Sequence, residues 1–170
     1  MIFTAPRTFP LRHPTREMRA TLKAVGFQAK NIRHRALFFI RNVFAAFDKE
    51  GNLRTDDLHA NVVTAMASAE KHIALINAKR IEKSKGKKKP PTLIGDVRKS
   101  PWVILNPTLI DNIVREEPDI VPNHPYKAVP AAVAQSVIQQ VYSDMQGWRK
   151  SVKAYMANPA KFSGYPKMPA

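Results

Sequence analysis

Apolar residues recur at helical spacing from one end of the first long segment to the other: Met18, Leu22, Val25, Ala29, Ile32, Ala36, Phe39, Ile40, Val43 and Phe47. At about 100° per residue they fall within a sector about 100° wide, which predicts one long amphipathic helix. Thr15 stands ahead of it as an N-cap, after Pro14. Gly26 is a soft spot in its middle. Asp48 to Asn52, with Gly51, ends it in a turn. A chain committed to such a helix needs other elements to cover the stripe.

Three further helices are expected. Thr55, Asp56 and Asp57 read as the start of the second, because a hydroxyl cap and two acids suit the positive end of a helix dipole. Its stripe is Leu58, Val62, Met66, Ala69, Ile73 and Ile76. The pattern dissolves into a basic loop over 79–91, which carries Lys83, Lys85, Lys87, Lys88 and Lys89. Trp102 to Leu105 read as a short strand or a buried turn. Asn106 and Pro107 form a cap and first-turn pair for a short helix through Leu109, Ile110, Ile113 and Val114. Pro118, Pro122 and Pro125 make a stiff connector. The last helix opens at Pro130, buries Val133, Val137, Val141, Met145, Trp148, Val152 and Tyr155 or Met156, and stops at Asn158 and Pro159. At the front, Pro6 and Pro10 break an apolar stretch that reads as an edge strand or extended arm, since proline cannot donate to a ladder. The expected fold is mainly α: a bundle of about four helices with short β-strand or extended segments at both ends. Its divisions are an arm over 1–14, a helical domain over 15–157 and an extended exit over 158–170.

The charge narrows the function. Lys and Arg number 28 against 13 Asp and Glu, a net charge of +15. That excess repels itself in the folded state and calls for a polyanion. Nucleic acid is the commonest, bound through phosphates with counterion release. An anionic membrane is the competing polyanion, but no apolar run is long enough to span a bilayer. Residues 1–20 carry no signal-peptide pattern, so a cytoplasmic location is expected. With no cysteine, disulfides and thiolate zinc sites are excluded.

The basic residues are patterned. Arg16, Arg19, Lys23, Lys30 and Arg41 cluster about 130° from the centre of the apolar face of the first helix. Mixed signs and i,i+4 ion pairs would mark an ordinary solvated face. Between Arg7 and Phe47 only Glu17 is acidic. Without Asn or Gln in the stripe, phosphate tracking fits better than base readout. Arg7 and Arg12 in the arm, and Arg149 and Lys150 late in the last helix, complete the candidate nucleic-acid contacts. The helix dipole alone also accounts for the late cations. Tyr126, Phe162 and Tyr165 read as base-stacking rings or as plugs at the core edge. No carboxylate cluster suits a catalytic metal, and His13, His34, His59, His72 and His124 lack ligand spacing. No catalytic residue, metal ligand or cofactor is expected.

Two stretches carry a family resemblance. Val129-Pro130-x-x-Val133-Ala134-Gln135 through Trp148, followed by Gly164-Tyr165-Pro166-Lys167-Met168-Pro169, resembles a helix and its exit in the transposon-encoded TnpB/OrfB proteins. Thr8-Phe9-Pro10-Leu11, then a helix containing Asn31, Ala36 and Leu37, is similar to the opening strand and first helix of that family. Residues 50–120 have no positional match. The resemblance implies a wedge-type strand element around a helical recognition lobe, holding a guide RNA and the guide–target duplex by backbone shape. It places the RuvC-type nuclease carboxylates beyond Ala170. The expected protein therefore binds RNA, and target DNA with it, without cutting. It is then a truncated remnant, a regulator, or one subunit whose partner is a separately encoded nuclease half. The alternative is an unrelated basic helical RNA- or DNA-binding accessory protein of phage or ribosomal type.

Overall fold

The computed structural model describes residues 14–48, 50–54, 56, 58–116 and 124–170. Four helices carry the chain: α1 (Arg16–Ala45), α2 (Ala60–Ser84), α3 (Pro107–Glu116) and α4 (Ala131–Ala157). The expected arm lies outside the described residues apart from Pro14, as do the connector prolines Pro118 and Pro122. No strand forms among the described residues; a single bridge joins Phe47 and Leu53 across the turn after α1. The mainly α bundle is as the sequence implied, and the strand element is not seen in the exit segment.

α1 starts where a hydroxyl cap puts it: Thr15 Oγ1 accepts from the Met18 amide at 3.2 Å. It ends at a turn in which Gly51 takes a φ of +88° and the Asp48 carboxylate accepts from the Asn52 amide at 2.8 Å. α2 begins at Ala60, later than the acids suggested. His59 Nδ1 caps it, accepting from the Asn61 amide at 3.2 Å. Asp56 does not cap, because Arg54 holds its carboxylate with two hydrogen bonds of 3.0 and 2.6 Å. Thr55 and Asp57 lie outside the described residues. α2 also outlasts its apolar pattern. Lys79, Arg80 and Lys83 are helical, and the basic loop shrinks to the turn at Lys85–Lys89, where Gly86 adopts a φ of +79°.

The segment after that turn is neither strand nor free loop. The Asn77 side chain on α2 donates to the Ile94 carbonyl at 2.9 Å and accepts from its amide at 2.8 Å. One amide side chain thus satisfies both polar backbone groups that a neighbouring strand would have paired. Pro101–Ile104 then forms a 3-10 turn.

The core gathers the second half of α1 (Ile32, Ala36, Ile40, Val43), the inner face of α2 (Ala65, Ala69, Ile73), all four apolar residues of α3, and α4. α1 packs against α4 and α2, and α3 against α2 and α4. α4 buries Ala134 and Ile138 fully, whereas Val133 and Val137 are only half-buried. Over its first two turns the buried face is thus shifted by one residue from the expected stripe. Val141, Met145 and Val152 are buried as expected. Met156 is exposed.

The expected α1 stripe is covered along only half its length. Met18 is 43% and Leu22 51% exposed, while Ile32 and Ile40 are fully buried. Residues 15–24 are all exposed, and packing against the core begins at Val25.

The exit segment folds back on the bundle. Trp148 Nε1 donates to the Pro166 carbonyl at 3.0 Å, and Arg41 to the Pro169 carbonyl at 2.6 Å. Met168 packs against the core, and Tyr155 meets Phe162 and Tyr165 edge-on. Side chains, not a sheet, hold this end.

Candidate nucleic-acid interface

The cations fall into two kinds, those that hold the bundle and those that face outward. Arg33 binds Asp144 at 2.8 Å, and with the Gln140 amide holds that carboxyl below its ordinary range. Arg98 grips Glu70 through both carboxylate oxygens and is itself raised by that bond. Arg54 and Asp56 each favour the other's charged form, which moves Arg54 up and Asp56 down. Arg115 lies beside Asp111 and Glu116. Five acids, Asp144, Glu70, Asp56, Asp111 and Glu116, thus stand against arginines, and most of the positive excess lies elsewhere.

That excess sits on α1 and on the end of α2. α1 carries seven basic residues and one acid, Glu17. Residues 79–89 carry seven and one, Glu82. Arg16, Arg19, Lys23, Lys30 and Arg41 are exposed along one side of α1, as the rotation predicted. Arg16, Lys23 and Lys30 have no acidic partner among the described residues. Arg19 turns back to the Pro14 carbonyl at 3.1 Å, outside the cap. Lys83, at the end of α2, and Lys85, Lys87, Lys88 and Lys89 in its turn are exposed too. Arg7 and Arg12 lie outside the described residues.

The remaining candidates part company. Lys150 is exposed, but Arg149 lies over the Trp102 ring at 5.0 Å, against an aromatic group built from Phe44, Trp102 and Trp148. Its charge is used inside the fold. Arg41 likewise spends one hydrogen bond on the exit segment while staying exposed. Both partners are remote in sequence, so no local pattern signals them.

Tyr126 is buried and donates to Asp111 at 2.6 Å. Burial first, then that bond, push its phenol up to about 12. It is a core plug. Tyr165 and Phe162 are exposed, grouped around Tyr155. Of the histidines, His72 is buried, its Nδ1 3.8 Å from Glu116. It lies at a hollow between α2 and α3 that Lys79, Arg80 and Lys83 also line. Sequence reasoning did not foresee this hollow, since it needs two helices side by side. Among the described residues no group of three or more His, Asp or Glu is arranged to hold a metal ion. No described helix is long and apolar enough to cross a membrane.

Comparison with protein-family models, curated proteins and solved structures gives no match for this chain.

Proposed function

We propose that the chain binds nucleic acid through phosphate contacts and does not itself cleave it. The observation that carries this reading is the separation of charge. Asp144, Asp56, Glu70, Asp111 and Glu116 stand against arginines, while the outer side of α1 and the end of α2 present cations with hardly an acid among them. In the form that the sequence resemblance suggests, the ligand is a guide RNA or its duplex with target DNA. The chain is then the binding part of a TnpB-like protein whose cutting half is supplied separately.

The test is affinity against salt. Each phosphate neutralised on a single strand contributes about 0.7 to the slope of log K on log salt, and about 0.9 on a duplex. Changing Arg16, Arg19, Lys23 and Lys30 together to Gln should lower the slope by about 3. A slope that is flat, or unchanged in that variant, overturns the reading.

A second reading, a stand-alone basic accessory protein, is favoured by the exit segment. Its contacts with Trp148, Arg41 and the core leave it docked on its own bundle. Coding sequence after the Ala170 codon that specifies strand-borne acids and a CxxC pair would favour the first reading over this one.

A further inference from the structure

The outer side of α1 carries rings as well as charges. Phe27 is 61% and Phe38 39% exposed, and neither belongs to the apolar stripe. At about 100° per residue Phe27 points almost opposite that stripe, and His34 and Phe38 lie within about 40° of one another and of Phe27. Each phenylalanine sits in the same setting. Lys23 stands four residues before Phe27 and Lys30 three after; His34 stands four before Phe38 and Arg41 three after. The two settings are eleven residues apart, three turns, so they share one side of the helix about 16 Å apart along its axis. A shallow hollow adjoins each end of this ridge, one lined by Arg16, Arg19 and Lys23, the other by His34, Phe38 and Arg41.

An exposed ring flanked by basic side chains, Lys23 and Lys30 at Phe27 and Arg41 with the imidazole of His34 at Phe38, has a specific chemical meaning. Phosphates alone need only the cations, and a paired base in a duplex cannot reach a flat ring. An unpaired base has a free π-face to stack, with its own phosphates in reach of the flanking cations. A membrane fits less well. A helix lying in a lipid interface would bury Met18, Leu22 and Val25 and turn Phe27 and Phe38 away into water. Resting on the phosphate-binding reading above, we infer that the outer ridge of α1 is a binding site for single-stranded nucleic acid. Phe27 and Phe38 stack one unpaired base each, and Lys23, Lys30, His34 and Arg41 follow the backbone between them.

The test measures binding of the whole chain to an oligouridylate, an oligothymidylate and a blunt duplex of equal length. Phe27→Ala should weaken single-strand binding roughly 5- to 100-fold, the loss of one base stack, leaving the salt slope and duplex binding unchanged. Phe27→Tyr should restore most of it. Phe38 also meets Phe39 edge-on at 5.4 Å, so Phe38→Ala is read beside Phe38→Tyr, which keeps the ring and the fold. A loss shared by uridylate and thymidylate assigns the site to unpaired bases in general; a loss confined to the uridylate assigns it to RNA. If Phe27→Ala binds both single strands like the parent, while the four-cation variant binds more weakly, the stacking inference fails and the phosphate reading stands. If the parent binds neither oligonucleotide but binds anionic phosphatidylserine vesicles, both fail and the ridge is a lipid surface.

Discussion

The two halves of α1 have the same periodicity and opposite fates. From Ile32 onward the stripe is sealed, with Ile32, Ala36, Ile40 and Val43 fully buried. Before it the same stripe leaves Met18 and Leu22 about half exposed. Nothing in the spacing separates them. The difference is in what stands opposite: α2, α3 and α4 reach the second half, while the first is exposed up to Val25, where packing against the core begins. Periodicity states which side of a helix is apolar; only tertiary packing states whether that side is covered. The first half also carries most of the outward cations, so the open part of the helix is where a partner can reach both ring and charge.

The comparison breaks most easily at the covered end. Trp148→Ala removes a ring packed on Phe44 and Trp102 and the bond to Pro166, and should cost about 3–5 kcal/mol in denaturant unfolding. It should also free the exit segment to proteolysis. Near-parental stability would mean that the aromatic group does not hold the bundle. Next comes a matched pair. Ile40→Ala should cost about 2–5 kcal/mol, whereas Leu22→Ala, on the same stripe, should stay within about 0.5 kcal/mol. Equal losses would show that the first half is covered after all.

The covered region should also show itself in pH. The folded phenol of Tyr126 is raised to about 12 from an ordinary 10. Its contribution is therefore fully present below pH 10 and lost as pH rises through the folded value. Alkaline unfolding should steepen between those limits, and Tyr126→Phe should flatten it. The smallest effect belongs to the open half. A Cβ at Gly26 would meet no atom within 4 Å, so Gly26→Ala should stabilise the helix by about 0.5–1 kcal/mol through propensity alone.

How much of this was legible follows the range of each interaction. α3 was readable in full, down to Asn106 accepting from the Leu109 amide, because cap, proline and stripe are all local. So were the Thr15 cap, the stop at Asn158 and the cation stripe, which one helix carries by itself. The start of α2 falls at His59, past the acids that suggested it, and the one of them described, Asp56, is held by Arg54 instead of facing the helix end. Of the two readings of Trp102 to Leu105, the buried turn is the one that forms, and the Asn77 clasp on Ile94 ahead of it comes from another helix and leaves no local signal. Arg149 looked like a surface cation because its ring, Trp102, comes from a distant turn.

The measurement closest to the central claim is amide hydrogen exchange along α1, alone and with saturating oligonucleotide. In the free chain, amides over 20–28 should exchange markedly faster than those over 36–45, since few packed neighbours oppose local opening there. Nucleic acid should slow the first set and leave the second nearly unchanged. Equal protection of both halves in the free chain, or no change over 20–28 once the oligonucleotide is bound, would contradict it.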